Sequence, residues 1–324
     1  VPETPIDLLV HRMTWEADDV LALDLVHPEG KPLPPWEPGA HIDVHTGGHL
    51  RQYSLCGDPD DTGRYRIAVL HTPASRGGSA HIHTTLRPGH TLRIQGPRNH
   101  FALEPAARYL FLAGGIGITP LLPMARHAHR TGTPWHLVYG GRRRTSLAFT
   151  AELTALTDAS ATDRCDLHPQ NVHGHPDIDA ALDGVTDDTL VYCCGPEPLL
   201  AAVEERCAAR GLADRLRTER FAAPPPAQGA PADGTGHAFD VECRRTGRTV
   251  RVDDGTSILE AVEAAGITVD SSCRDGICGT CETRVLDGTP DHRDFLLTDG
   301  ERAAHTSLMI CVSRCAGDRL VLDL

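Results

Sequence analysis

The chain has 324 residues, of which 40% are hydrophobic, and its 31 Lys and Arg against 44 Asp and Glu leave a formal net charge of −13. That balance argues against a nucleic-acid partner, which needs concentrated cations, and no apolar run approaches the ~20 residues of a membrane-spanning helix. The length calls for two or three domains, and the opening VPETPIDLLVHRMTWE lacks the basic start and apolar core of a secretion signal, so a cytoplasmic protein is expected.

From residue 1 to 103 the runs HIDV, RQYSL, RYRIAVL and TLRIQG alternate apolar and polar residues between Pro and Gly turns. An antiparallel β-barrel is predicted, because closure removes exposed strand edges. In a regular strand Arg51 and Tyr53 share one face and Ser54 turns to the other. Arg51 suits a phosphate, Tyr53 can cover a flat ring, and Ser54 can hydrogen-bond a ring heteroatom. The segment SRGGS combines a cation, flexible backbone and a hydroxyl in Arg76, Gly77, Gly78 and Ser79, a second phosphate-like nest. His81 and His83, two of 19 histidines, would share a strand face, with solvated or packed rings the plainer reading.

From 104 to 222, YLFLAGG leads into a helix beginning near Thr119, WHLVYGG precedes SLAFTAELTAL, and TLVYCCG precedes PEPLLAAVEERCAARG. Repeated β-then-α units predict an α/β nucleotide-binding domain with a parallel sheet and ligand sites at the strands' carboxyl ends. AGGIGITP is not the G-x-G-x-x-G fingerprint. Even so, Gly114, Gly115 and Gly117 let backbone approach a pyrophosphate, and Thr119 and Pro120 open a helix whose N–H groups face its charge. Cys194, Gly195 and Pro196 fall at the same edge, a position that can face a nicotinamide. After the second strand come Arg142, Arg143 and Arg144, with no acid for a ribose hydroxyl. These arginines can hold the extra phosphate of NADP, contact the pyrophosphate, or line a solvated loop.

Proline, glycine and alanine then displace any hydrophobic period, and residues 223–236 read as a linker. From 237 to 324, FDVECRRTGRTVRV predicts a hairpin, SILEAVEAAG a helix ended by Gly266, and a strand is expected near Glu282 to Leu286 before the closing RLVLDL. Between helix and strand, Cys273, Cys278 and Cys281 stand in C-x4-C-x2-C spacing and Cys311 follows, the ligand run of a 2Fe-2S ferredoxin. Gly276 and Gly279 permit the bends that turn backbone N–H groups toward sulfur. A four-thiolate zinc site is the alternative, although zinc sites usually pair two C-x2-C units. Eleven cysteines, an odd number at irregular spacing, do not suggest a disulfide framework. Cys56, Cys165, Cys193, Cys207, Cys243 and Cys315 read as small apolar residues.

Together RQYSL, SRGGS, GPRNHF, AGGIGITP, YCCGPEPL, ERF and CRDGICGTC resemble the phthalate dioxygenase reductase family, with its vanillate demethylase reductase-like members, over nearly the whole chain. The resemblance includes domain order: flavin barrel, nicotinamide domain, linker, β-grasp plant-type ferredoxin. It implies an oxidoreductase that carries electrons from NADH, or NADPH, through FMN to the cluster and on to a Rieske-type oxygenase or demethylase. A monomer is expected. By position, Arg51, Arg76, Gly78 and Ser79 would hold the flavin phosphate, Tyr53 would pack on the ring, and Ser54 would lie at its reactive edge. Phe221, preceded by Glu219, would cover the ring. Gly114, Gly115, Gly117, Thr119, Arg142, Gly195 and Pro196 would bind the dinucleotide, with Cys194 beside nicotinamide. Ser54, Cys194 and Phe221 are thus the candidate catalytic residues. Cys311 keeps the family spacing, which leaves Cys315 a bystander. The alternatives are an FAD-containing reductase of the wider ferredoxin-NADP reductase superfamily serving a cytochrome P450, and a non-catalytic binding or scaffold protein.

Overall fold

A computed structural model describes residues 5–72, 77–223 and 237–324. Two compact units meet in the chain between Phe221 and Ala222. Arg76 and the expected linker, apart from Ala223, lie outside the described residues.

The first unit begins with six antiparallel strands: β1 (Ile6–Ala17), β2 (Val20–Val26), β3 (His41–Thr46), β4 (His49–Ser54), β5 (Arg64–Leu70) and β6 (Thr91–Arg98). Their order is β4-β3-β6-β1-β2-β5, and a bridge between Leu55 and Ile67 joins the two ends into a barrel. Period-2 burial fills it: Leu8 and Val10, Ile42 and Val44, Tyr65, Ile67 and Val69, and Leu92 and Ile94 belong to one core. His81 and His83 are not on a strand. They lie in a short helix, α1 (Gly78–Thr84), which buries Ile82. The His-Ile-His alternation resembles a strand, but Ile82 is a single inward contact that a helical turn satisfies equally.

The same unit continues through β7 (Arg108–Gly114), α2 (Ile118–Thr131), β8 (Trp135–Gly141), α3 (Thr150–Asp158), β9 (Arg164–Pro169), α4 (Gln170–His173), α5 (Ile178–Leu182), β10 (Thr189–Cys194), α6 (Glu197–Ala209) and β11 (Leu216–Glu219). The five strands are parallel in the order β11-β10-β7-β8-β9. Barrel and sheet share a core in which Ala17, Cys56 and Phe101 join Phe111, Ile118 and Tyr192. Arg126 on α2 donates to the carbonyls of Cys56 and Gly57 at 2.9 and 2.7 Å and pairs with Glu152, which also receives Arg66 of β5 at 2.9 Å. The Tyr192 hydroxyl donates to the Ala102 carbonyl and accepts the Glu104 N–H, tying the crossover to the sheet.

In the second unit β12 (Phe239–Cys243) and β13 (Arg248–Val252) form the hairpin, α7 (Ile258–Ala264) follows, and then come β14 (Glu282–Asp287), β15 (Pro290–Asp291), α8 (Asp299–Ala304), β16 (Ser307–Met309), β17 (Arg314–Cys315) and β18 (Arg319–Leu322). The main sheet runs β13-β12-β18-β14-β16, with β12 and β18 parallel and the other pairs antiparallel. Ser257 caps α7 in a capping box with Glu260. Gly266, at a φ of 77°, takes the left-handed turn beyond its end. Ile258, Leu259 and Val262 bury the helix on a core that includes Phe239, Val241 and Leu320. Among the described residues no helix is long and apolar enough to cross a membrane.

Candidate functional site

Strand β4 carries the barrel's candidate residues. Tyr53 is half-buried, and burial pushes its hydroxyl up to about 12. Ser54, on the opposite face, is buried with its Oγ unpartnered. Across the ladder it pairs with His41, whose Nε2 is likewise buried without a partner. Burial, then His100 and Arg98, pulls the His41 imidazole down to about 3, so it is neutral at physiological pH. An unsatisfied buried polar group is costly and calls for a partner. Two sit side by side here. At the other end of the strand Arg51 lies against Gly78 of α1, so closely that a Cβ on that glycine would come within 2.8 Å of Arg51 Cγ. Ser79 is half-buried and accepts the Thr72 N–H at 3.5 Å.

The carboxyl edge of the parallel sheet is built by exclusion of side chains. A Cβ on Gly117 would lie 2.2 Å from the Cys194 carbonyl oxygen, and one on Gly114 would lie 2.6 Å from Pro196. One on Gly195 would meet the Gly114 backbone at 2.9 Å. Gly114, Gly117, Cys194, Gly195 and Pro196 therefore converge where β7 abuts β10. Gly115, at a φ of 54°, has open space beside it, and its carbonyl accepts the Tyr139 hydroxyl at 3.0 Å. The Thr119 hydroxyl donates to the Ile116 carbonyl at 2.9 Å and thereby holds the turn. Arg142, Arg143 and Arg144 are exposed beyond β8, and the Arg142 carbonyl accepts the Asn171 N–H.

Cys194 is fully buried, and burial holds its thiol protonated, well above the ordinary range. Beside it on β11 stands Glu219, a residue the motif reading noted without assigning it a role. Its Oε2 is buried with no partner, and burial lifts the carboxyl to about 8. A lone acid in a four-residue edge strand offers little sequence signal beyond its place in ERF. Phe221, two residues on, is exposed.

In the second unit the cysteine loop bends at Arg274, Gly276 and Gly279, all with positive φ. A Cβ on Gly276 would strike Val312 at 2.6 Å, so this turn admits glycine alone. The bends deliver the expected donors. The Asp275 N–H reaches Cys273 Sγ at 3.3 Å, and the Gly276 N–H reaches Cys311. The Cys278 side chain interacts with Cys273, and the Cys311 side chain with both Cys273 and Cys281, so the four thiols form one connected group. Among the described residues no three His, Cys, Asp or Glu side chains converge on a single ion position. Four thiols in the C-x4-C-x2-C spacing with a distant fourth suit a 2Fe-2S cluster better than zinc, whose sites usually pair two C-x2-C units. Cys315 accepts the Gly317 N–H instead.

Residues 241–316 match a family model described as a 2Fe-2S iron-sulfur cluster binding domain, and residues 111–205 match an oxidoreductase NAD-binding domain. The chain is 44% identical to the phenoxybenzoate dioxygenase subunit beta of Ectopseudomonas oleovorans over 99% of its own length and 98% of that protein. Phthalate dioxygenase reductase, solved as a modular structure for electron transfer from pyridine nucleotides to [2Fe-2S], superimposes with a TM-score of 0.69 at 35% identity, covering 99% of this chain and 98% of that one. An intact type IV self-sufficient cytochrome P450 monooxygenase gives a TM-score of 0.90 at 44% identity over 99% of this chain, which spans only 41% of that longer protein.

Proposed function

The chain belongs to the phthalate dioxygenase reductase family of NAD(P)H-dependent oxidoreductases, which deliver electrons to an oxygenase partner, and from that premise we propose how its own residues divide the work. Arg51 and Gly78, with Ser79 and Arg76, hold the flavin phosphate, while Tyr53 packs on the ring. Ser54 and His41 meet the ring's polar edge. The orphaned Ser54 Oγ and His41 Nε2 carry this reading, because an isoalloxazine presents the donors and acceptors they lack. Gly114, Gly115, Gly117, Thr119, Gly195 and Pro196 admit the dinucleotide backbone, Arg142 contacts its phosphates, Cys194 backs the nicotinamide subsite, and Phe221 covers the flavin ring. Glu219 keeps a proton beneath that subsite. Cys273 and Cys278 hold one iron of the cluster, and Cys281 and Cys311 the other.

When bound, FMN accepts hydride from reduced nicotinamide, and the 2Fe-2S cluster passes single electrons onward. The protein's part is to bring the rings together, exclude water and keep Cys194 and Glu219 uncharged. Purification of the chain with about one FMN, two irons and two sulfides tests the assignment, and FAD in the extract would overturn the flavin reading.

For the acceptor we favour a Rieske-type oxygenase or demethylase, served by a cytoplasmic monomer. A cytochrome P450 is the second reading, supported by the likeness to the reductase portion of a self-sufficient P450. Reconstitution with purified oxygenases of the two kinds, scored by product formed per NADH oxidised, separates them.

A further inference from the structure

One nitrogen-bearing side chain at the flavin-phosphate end of the barrel lies outside every motif that marks the family. His49 opens β4 and shares a strand face with Arg51 and Tyr53. Its ring fills the space beside Gly77: a Cβ there would lie 2.6 Å from His49 Nε2 and 3.0 Å from Cδ2. One residue on, a Cβ at Gly78 would meet Arg51 Cγ at 2.8 Å, Arg51 Nε at 3.3 Å and Thr46 Cγ2 at 3.5 Å. Two successive glycines are therefore each covered by a nitrogen-bearing side chain from one strand, and a larger residue at either would displace it. Gly77, at a φ of 112°, also takes a backbone conformation that side chains resist. Thr46 pairs with His49 across the β3–β4 turn and is buried, with its Oγ1 unpartnered. Among the described residues the His49 ring makes no hydrogen bond or ion pair, although it is half-buried. An imidazole and a guanidinium thus lie against two side-chain-free residues, with the unpartnered Thr46 hydroxyl on the same short stretch of β3, a donor set of the kind phosphate oxygens take.

We propose that His49, with Thr46 beside it, is a phosphate-binding residue of the flavin site, holding the 5′-phosphate of FMN against Gly77 and Gly78 together with Arg51. The inference rests on the FMN reading above and extends it. The guanidinium supplies a fixed fork and the imidazole an additional N–H from the neighbouring position on the strand. Its consequence is discrimination: the protein selects flavin by the phosphate as well as by the ring.

The test is flavin binding by the apoprotein, followed by quenching of flavin fluorescence, with FMN, FAD and riboflavin as ligands. His49→Ala is expected to weaken FMN about tenfold, the loss typical of one charge-assisted hydrogen bond, and to leave riboflavin within about twofold. His49→Phe keeps a ring against Gly77 but removes the N–H, so it is expected to lose FMN to the same extent. Thr46→Val is expected to weaken FMN a few-fold, again sparing riboflavin. Equal losses for FMN and riboflavin in His49→Phe, or no loss in either, would overturn the proposal. Failure of the underlying reading looks different: the unsubstituted protein would bind FMN no tighter than riboflavin, or FAD tighter than FMN. If Arg51→Ala loses FMN and His49→Phe does not, the FMN reading stands and the role of His49 falls.

Discussion

The cysteine loop and the nucleotide edge prepare their sites by opposite means. In the loop, three of the four proposed ligands lie within nine consecutive residues from Cys273 to Cys281, with Cys311 the fourth, and glycines bend the backbone so that N–H groups turn toward sulfur. At the nucleotide edge the glycines themselves are the proposed recognition surface, and it is assembled from Gly114 at the end of β7, Gly117 just after it and Gly195 after β10, segments adjacent in the sheet although β8 and β9 lie between them in the chain. A metal cluster is held by donor atoms, whereas a dinucleotide backbone is held by the absence of obstruction. Substitutions should therefore act differently in the two regions: at the loop through loss of a ligand, at the edge through addition of a single methyl group.

The largest effect is expected at the edge. Gly117→Ala would place its methyl 2.2 Å from the Cys194 carbonyl oxygen, a clash with backbone that no rotamer relieves. It should cost about 3 kcal/mol of stability and sharply lower kcat/KM for NADH in whatever folds, with bound FMN retained; stopped-flow reduction and thermal unfolding measure both. An unaffected kcat/KM would mean that the turn is not the nucleotide's path.

Glu219 gives an intermediate and pH-dependent effect. Its folded carboxyl titrates near 8, above its ordinary value of 4.5, so between those limits the folded state holds a proton that the unfolded state releases. Stability therefore falls as pH rises through this window. Glu219→Gln should remove that slope, raising the unfolding midpoint of the first unit at pH 8 while changing little near pH 5. Parallel curves at both pH values would contradict a buried, protonated Glu219.

Smaller still is the contribution of Arg142, Arg143 and Arg144. Replacing the three with Ala should reduce kcat/KM for NADPH several-fold more than for NADH, since only the former carries the extra ribose phosphate. Equal losses would assign these arginines to the shared pyrophosphate. The smallest effect belongs to Cys315→Ser, which should leave the iron content and visible spectrum of the cluster unchanged; loss of iron would make Cys315 a ligand.

The same contrast explains what the sequence made legible. The cysteine spacing was readable because its chemistry is local, and the helix of SILEAVEAAG emerged because Ser257, Glu260 and Gly266 mark both of its ends. Four alternating runs announced the barrel. Its first strand, β1, was harder to see because register shifts after Val10 and Trp15 interrupt the period of two. β9 and β11 lie at the sheet's edges, are half-buried and carry mixed polar residues, so they lack the continuous apolar run of β7 and β10. His81 and His83 misled through a three-residue alternation that a helix also accommodates. Glu219 and His49 matter through what three-dimensional packing leaves unpartnered around them, and no spacing rule encodes that. Arg76 and residues 224–236 lie outside the described residues, so their expected roles rest on the motifs alone.

In the division of labour proposed above, one chain separates hydride acceptance from single-electron delivery, the first in the barrel and sheet and the second at the cysteine loop. Cys273→Ser tests it most directly, with flavin reduction by NADH followed under anaerobic stopped flow and electron delivery followed as cytochrome c reduction. Flavin reduction is expected within about twofold of the unsubstituted rate, and cytochrome c reduction lowered by about a hundredfold or more. Equal loss of both would contradict the division, and so would undiminished cytochrome c reduction by a variant shown to lack iron.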